Sequence, residues 1–395
     1  MARPVLRTRL CDILDIEYPI ILAGMGGVAT AELVAAVSEA GGLGVVGAAS
    51  MPADEIERQV RRIRDLTSKP FGVDVLLPSG VAAAPSADSK QQTANSKGNG
   101  GGGGEARAKR PLEYLPAPYQ EFVHNAEHEF GLPERGDDQG FSQGMRRLGQ
   151  GDFSKKQVEA ILELKVPVFA AGLGNPAPWV EAFHAQGGKV IGLVGNVKNA
   201  RRIADGGADV VVAQGTEAGG HTGRIGTMAL LPQVIDAVAP TAVCAAGGIG
   251  DGRGIAGALA MGADGVWIGT AFLVSREATW PDLLKERILA ATEEDTRVTR
   301  LYSGKTMRNI NNPLIEYWES QKLDALPMGM QGIVSGEIMA GATRAQKLEL
   351  LMNPAGQISG MLKEMRPAKA IFEQMVAEAA QIIAEGLGTR VRASV

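Results

Sequence analysis

The sequence has few of the residues that mark disulfide-rich, metal-binding or nucleic-acid-binding proteins. Its 395 residues include only two cysteines, Cys11 and Cys244, which lie far apart in the chain. Two such distant thiols predict neither a disulfide framework nor a zinc site, and we expect no metal. The formal net charge is −4, which provides no electrostatic attraction for nucleic acid. The expected partners are therefore small molecules.

Long apolar stretches are also missing. No segment of about 20 uncharged apolar residues occurs, so no membrane span is predicted. Residues 1–20 carry a charge every few positions and lack an apolar centre, which does not fit a secretory signal peptide. These absences predict a cytoplasmic protein with no membrane partner.

Glycine, in contrast, is abundant: 52 residues, about 13% of the chain against a usual ~7%. Much of it ends short apolar runs that are separated by helix-like segments. The eight runs are YPIILAGMGG (18–27), GGLGVVGAAS (41–50), FGVDVLLP (71–78), VPVFAAGLG (166–174), KVIGLVG (189–195), ADVVVAQG (208–215), TAVCAAGGIG (241–250) and DGVWIGTAF (264–272). They are apolar on both faces, as buried parallel strands are. Eight such units predict an α/β fold, a TIM (β/α)8 barrel, with a doubly wound open sheet as the alternative.

The barrel pattern is interrupted after the third strand. Residues 79–110 form a low-complexity, small and polar tract, which predicts a long flexible insertion that acts as a disordered linker. Residues 111–150 contain an amphipathic stretch and predict a helical cap over the barrel mouth. The barrel itself is assigned to residues 1–78 and 151–285. Residues 286–395 are assigned to a C-terminal helical lid and a closing helix.

Chemistry is expected at the carboxyl ends of the strands, where TIM barrels hold their active sites. The seventh strand runs into AAGGIGDGRG (245–254), and the eighth into Gly269 and Thr270. TIM barrels commonly bind phosphate after strands 7 and 8, and glycine lets main-chain N–H groups approach an anion. Either motif alone is explained by a tight turn, but together they indicate a phosphate-bearing ligand.

The first strand indicates that this ligand is planar. It ends in AGMGG, where Ala23, Gly24 and Met25 can lie flat against a ring whose edge also reaches Gln214. FMN matches this shape and charge better than pyridoxal phosphate, since no strand-end lysine is present to form a Schiff base. GLGVVG (42–47) has the spacing of a dinucleotide-binding loop but lacks the helix start and the downstream ribose-binding acid. NAD binding through this loop is therefore not predicted.

His221 is the candidate catalytic residue. It follows the sixth strand in GTEAGGH, and imidazole can exchange a proton near neutral pH. The alternative is a structural histidine that caps the loop. Glu217 is interpreted as a hydrogen-bond acceptor that orders this loop, and Cys244 as a small buried hydrophobic residue.

The ordered motifs AGM, AGGLGVVG, PFGVD, VVAQGTEAGGHTG, AAGGIGDGRG and GADGVWIGTAFL resemble the nitronate monooxygenase family, formerly called 2-nitropropane dioxygenases. The similarity covers about residues 12–80 and 155–285. It implies an FMN-bearing TIM barrel with a helical lid, in which His221 is the catalytic base that deprotonates a nitroalkane or positions the nitronate.

The resemblance also implies a set of cofactor-binding residues. These are Ala23, Gly24, Met25, Asp74, Gln214, Gly219, Gly220, Gly247, Gly248, Trp267, Ile268, Gly269 and Thr270. Many family members have asparagine at the position of Asp74. If Asp74 is ionised beside the ring, it would disfavour negative charge on the reduced flavin.

Two enzyme functions fit these motifs. The first is oxidation of alkyl nitronates by O2. The second is an NAD(P)H-dependent flavin reductase that acts on quinones or enoyl thioesters. Its nucleotide could bind the basic cluster at 146–156, although a solvated charged surface is the favoured interpretation of that cluster. A non-catalytic flavin-binding module is the third candidate. Oligomeric state is open, with a homodimer as the candidate.

Overall fold

Eight parallel strands form the centre of the molecule, which a computed structural model describes at residues 4–77, 110–133 and 152–391. They run in the order β1-β9-β8-β6-β5-β4-β3-β2, and a parallel bridge between Ile21 and Leu43 joins the two end strands. The strands are β1 Ile20–Leu22, β2 Gly44–Gly47, β3 Phe71–Leu76, β4 Val168–Gly172, β5 Lys189–Val194, β6 Val210–Gln214, β8 Ala242–Ala246 and β9 Gly265–Ile268. The predicted TIM barrel is confirmed, and all eight predicted strands are present.

Helices surround this barrel on its outer face. Those that follow the strands in βα order are Ala31–Glu39, Ala53–Leu66, Phe153–Glu163, Ala177–His184, Val197–Asp205, Thr227–Val238, Gly252–Ala260 and Thr270–Leu273. Within each strand, side chains alternate between the barrel interior and these helices. In β6, Val210 and Val212 point inward, while Val211 and Ala213 pack against the helices. Burial of both faces explains why the strands read as continuous apolar runs.

A short helix at the start of the chain, Arg9–Leu14, closes the amino-terminal end of the barrel. Its Leu10 and Cys11 are fully buried in the same interior cluster as the inward-facing strand residues. Arg9 donates to the Pro240 carbonyl (2.8 Å) and pairs with Asp264, two residues at the amino-terminal ends of β8 and β9. The bottom of the barrel is therefore sealed, and a ligand can enter only from the opposite end.

A second hydrophobic core lies outside the barrel and forms a lid. Its buried residues come from two separate segments, 112–132 and 301–350. The helices of the lid are Ala117–Glu129, Pro313–Ser320 and Gln331–Arg344, with single 3-10 turns at Pro111–Tyr114 and Leu348–Leu350. The described part of the predicted cap thus packs with the C-terminal lid. Most of the predicted linker (79–109) and residues 134–150 of the cap lie outside the described residues.

An antiparallel sheet connects the lid to the barrel. It is formed by β10 Thr296–Thr299, β11 Met307–Ile310 and the two-residue β7 Gly220–His221. β7 belongs to the loop that follows β6, whereas β11 belongs to the lid, and Met307 lies opposite His221. The candidate base is therefore held by main-chain pairing between the two units.

The chain returns to the barrel after the lid. Helix Asp282–Ala290 precedes the lid, and a 3-10 helix at Gln357–Met361 leads back to the closing helix Ala368–Gln381, followed by Ile382–Gly386 and Leu387–Arg390. Within the described residues, no helix combines the length and apolar composition needed to cross a bilayer.

The closing helix is attached to the barrel through Phe372. This side chain is fully buried, lies edge-on to Tyr18 with ring centroids 6.0 Å apart, and sits directly over Gly42. A Cβ added at residue 42 would come within 2.5 Å of the Phe372 ring. The contact joins the last helix to the chain segment just before β2, where the barrel closes.

We expect Phe372→Ala to lower the free energy of unfolding by roughly 3–5 kcal/mol, because it leaves a cavity between the closing helix and the barrel. Urea denaturation followed by circular dichroism measures this change. Lys369→Ala, on the exposed side of the same helix, is the matched control and should change stability by less than about 0.5 kcal/mol. Equal effects of the two substitutions would contradict this account of the helix.

Candidate functional site

A single cavity of about 1330 Å³ opens at the carboxyl ends of the strands. Ligand pockets usually measure about 300–1,000 Å³, so this one can hold a cofactor and a second small molecule. Every residue that the sequence assigned to the site lines it, including His221 and Asp74. The strands thus bring together residues that are more than 200 positions apart in the chain. No described residue of 110–133 lines the cavity.

One side of the cavity, the predicted anion cradle, is formed by glycines at the ends of β8 and β9. Gly247 and Gly248 have φ angles of 88° and 75°, a conformation that favours glycine. A Cβ added at Gly247 would lie 2.9 Å from the Gly215 carbonyl oxygen. No described residue accepts the N–H of Gly247, Gly248 or Gly269. These amides are available to a phosphate.

Thr270 completes the cradle. Its Oγ1 accepts the N–H of Gly356 at 3.0 Å, which leaves the hydroxyl proton available for a ligand. Trp267 packs in the barrel interior below the cavity, while the Ile268 side chain packs in the outer core. Ile268 therefore contributes to the site mainly through its backbone.

The loop between β6 and β7 is ordered by Glu217. Its carboxylate accepts the Thr227 N–H at 2.9 and 3.0 Å and the Thr227 hydroxyl at 3.0 Å. The interpretation of Glu217 as a loop-ordering acceptor is confirmed. This anchoring holds the loop so that Gly219 lies against Ala355 and Gly356, in the segment that follows the lid.

His221 lies at the centre of this arrangement. Gln214 Nε2 donates to the His221 carbonyl at 2.6 Å, and the imidazole Nε2 lies 2.8 Å from Ser303 Oγ. Burial, and to a smaller extent the charge of Lys305, lower the pKa of His221 to about 4. The imidazole is therefore neutral at physiological pH, with a lone pair available to accept a proton.

Ser303 and Lys305 are site residues that the sequence analysis missed. Both lie in the lid loop before β11 and line the cavity, and Ser303 is almost fully buried. Nothing in their local sequence marks them, because their role depends on the pairing between β11 and β7. A pairing of His221 with a hydroxyl was therefore not predictable from motif spacing.

Asp74, which lies within β3 two residues before its end, is the most unusual polar group in the cavity. Its side chain lies against the main chain of Gly24, where a Cβ would come within 2.6 Å of Oδ2. The residue is 7% exposed, and its Oδ1 has no hydrogen-bond partner among the described residues. Burial raises the pKa of Asp74 to about 8, opposed by a smaller effect of the Gly172 backbone. The carboxyl is therefore neutral at pH 7, and the ionised state considered from the sequence is not the resting state.

The family model described as nitronate monooxygenase matches residues 7–100 and 120–378 of the chain. The chain belongs to the nitronate monooxygenase family. It is accordingly an enzyme of the nitronate monooxygenase type and an oxidoreductase.

Two relatives match the chain over almost its whole length. A Mycobacterium tuberculosis protein that carries the name monooxygenase is 36% identical over 386 residues, covering 94% of this chain and 96% of that protein. A Staphylococcus aureus protein named as a nitronate monooxygenase is 34% identical over 391 residues, covering 95% and 98%.

Two solved structures are similar in fold and in sequence. Nitroalkane oxidase from Streptomyces ansochromogenes has a TM-score of 0.76 at 30% identity and covers 94% of this chain and 98% of its own. FabK from Thermotoga maritima has a TM-score of 0.72 at 30% identity and covers 97% and 99%. The fold of this chain is thus similar both to a nitroalkane oxidase and to FabK.

The residues of the cavity fit FMN. The amides of Gly247, Gly248 and Gly269 suit its phosphate, and Ala23–Met25 line the cavity at the end of β1, where the sequence predicts contact with a planar ring. The unpartnered Oδ1 of Asp74 is a polar atom that a ligand would satisfy. Among the described residues, no cluster of histidine, cysteine or carboxylate side chains could hold a metal ion.

The raised pKa of Asp74 predicts how stability depends on pH. The folded protein keeps the Asp74 proton up to about pH 8, whereas the unfolded chain loses it near 3.8. Between these values folding takes up one proton, so Asp74 makes the free energy of unfolding fall as pH rises. Asp74→Asn has no such proton, and its stability relative to wild type should increase steadily from pH 4 to pH 8. Thermal unfolding without ligand measures this, and a pH-independent difference would contradict the buried neutral acid.

The lowered pKa of His221 yields a second prediction. Because the charge of Lys305 disfavours the imidazolium, Lys305→Gln should move the His221 titration midpoint upward from about 4, though burial keeps it below 6.5. Imidazole C–H resonances followed by NMR report this midpoint. Arg202→Gln removes another cation that lines the cavity but does not shift His221, so it should leave the midpoint unchanged. Equal midpoints in wild type and Lys305→Gln would show that Lys305 has no influence.

Proposed function

We propose that this enzyme oxidises alkyl nitronates with O2, using FMN bound at the carboxyl ends of the barrel strands. The observation that carries the proposal is a neutral, partly buried His221 that shares one cavity with an anion cradle. When bound, FMN would supply the transfer of electrons from the substrate to O2. The name of the Streptomyces ansochromogenes structure, nitroalkane oxidase, supports the same substrate class.

His221 would act as the base toward a neutral nitroalkane. The Ser303 hydroxyl donates to Met307 Sδ at 3.3 Å, so a lone pair of Ser303 Oγ can accept the Nε2–H of His221. This tautomer leaves the Nδ1 lone pair to remove a proton from the carbon that bears the nitro group. Once His221 is protonated, both ring nitrogens donate, and Ser303 remains as the acceptor for Nε2–H.

Closure of the site by the lid would protect this chemistry. The lid contributes Tyr302, Ser303, Lys305, Thr306 and Met307 to the cavity wall. These side chains cover one side of the cavity and limit the access of water to the imidazole. Exclusion of water strengthens each remaining polar interaction in the site.

A reductase that takes hydride from NAD(P)H is the second candidate, and the similarity to FabK, an enoyl-ACP reductase, favours it. A cavity of about 1330 Å³ has room for a nicotinamide beside a flavin. The predicted nucleotide cluster at 146–156 does not support it, because the described part, 152–156, does not line the cavity.

Anaerobic mixing distinguishes the two candidates. The FMN-loaded protein is mixed separately with propyl 2-nitronate, NADH and NADPH, and the visible absorbance of the flavin is followed. Bleaching by the nitronate but not by the nucleotides is the expected result. Rapid bleaching by NADH or NADPH alone would make the protein a reductase, and a protein that binds no FMN would overturn both candidates.

Replacement of His221 tests its role as the base. His221→Gln should keep FMN bound but lower kcat/KM for neutral 2-nitropropane by roughly 100-fold, since proton abstraction loses its acceptor. With propyl 2-nitronate, whose proton has already been removed, the loss should be much smaller. Oxygen consumption measures both rates. Equal losses on the two substrates would show that His221 positions the substrate rather than deprotonating it.

A further inference from the structure

One buried carboxyl group in the cavity has an oxygen atom that no described residue contacts by a hydrogen bond, and this group has no place in the mechanism above. Of the two carboxylates that line the cavity, Glu217 is held by Thr227, whereas Asp74 has an Oδ1 that no described residue contacts by a hydrogen bond. Unsatisfied buried polar atoms are rare, because a buried polar atom that loses its contact with water and gains no hydrogen bond destabilises the folded protein. The position of Asp74 therefore calls for a ligand atom.

The strand geometry directs Asp74 into the barrel. Its neighbours Val73 and Val75 pack in the outer core against the helices, so the side chain between them points to the opposite face. There it lines the cavity beside Gly24 and Gly172. The charged side chains of helix Phe153–Glu163 lie on the other side of β3.

No charged group is placed to hold Asp74 as an anion. The strands paired with β3 are β2 and β4, and neither contains a titratable residue; nor does the loop at Ala23–Gly26. Elsewhere in the cavity the titratable or charged side chains are Arg202, Glu217, His221, Arg224, Tyr302 and Lys305. None of them shifts the pKa of Asp74, whereas Lys305 does shift that of His221.

We propose that Asp74 binds FMN as an un-ionised carboxylic acid whose O–H donates a hydrogen bond to an acceptor atom of the cofactor, so that loss of this proton weakens cofactor binding. This inference rests on the proposed use of FMN. A flavin ring presents mostly carbonyl oxygens and ring nitrogens that accept hydrogen bonds. An ionised Asp74 would place acceptor against acceptor in a buried site, whereas the un-ionised acid supplies a donor.

The affinity for FMN should therefore depend on pH in a way that Asp74 controls. Because burial raises the pKa of Asp74 to about 8, a cofactor that requires the protonated form should bind about tenfold more weakly at pH 9 than at pH 7. Asp74→Asn keeps a donor and cannot ionise. It should match wild type at pH 7 and lack the alkaline loss.

The experiment measures the dissociation constant of FMN by fluorescence quenching for full-length wild type and Asp74→Asn from pH 6 to pH 10. Any pH effect that comes from ionisation of FMN itself should appear equally in both proteins, so the difference between the two profiles reports on Asp74. Parallel profiles, or wild-type binding that tightens as pH rises, would overturn the proposal for Asp74 while leaving FMN as the cofactor. If neither protein binds FMN, the proposed function and this inference are both overturned.

A second measurement needs no variant. In wild type labelled with 13C at aspartate carboxyl carbons, one carboxyl should titrate in the alkaline range, and saturating FMN should move its midpoint upward. The upward shift follows because a ligand that prefers the protonated acid stabilises it. A midpoint that moves downward with FMN would show that Asp74 binds as a carboxylate and would reject the proposal.

Discussion

The parallel bridge between Ile21 and Leu43 closes the sheet, and the arrangement of the site depends on that closure. Once the eight strands form a ring, their carboxyl ends meet at one rim, and residues from 23 to 270 surround a single cavity. Each strand-end loop there leaves main-chain groups without ladder partners. At β8 and β9 these groups are N–H donors, which explains an anion cradle built from glycine rather than from lysine or arginine.

The lid depends on a much smaller contact with the barrel. Gly220 and His221, in the loop that follows β6, pair with Arg308 and Met307 of the lid strand. This pairing brings Ser303 to the imidazole, so the lid supplies the hydrogen-bond partner of His221. A movement of the lid would therefore change the environment of His221 as well as access to the cavity.

Burial acts on both titratable groups that face the proposed substrate and cofactor. It lowers the pKa of His221 to about 4 and raises that of Asp74 to about 8, so both are neutral near pH 7. The same desolvation thus produces a free base on one wall and a hydrogen-bond donor on another. A cavity with uncharged groups next to the reacting atoms suits a reaction in which negative charge passes from substrate to cofactor.

The sequence by itself determined the barrel and much of the rim. Apolar runs on both strand faces and glycines at their ends follow directly from burial and from main-chain approach, and both are local properties of the chain. The motif around His221 was readable for the same reason. The tertiary structure alone decided which distant segments share the lid core. Segments 112–132 and 301–350 pack together, but no motif in a single sequence indicates that they are in contact. It also decided the partner of His221 and the charge of Asp74, since pairing and desolvation depend on what surrounds a residue rather than on its neighbours in the chain.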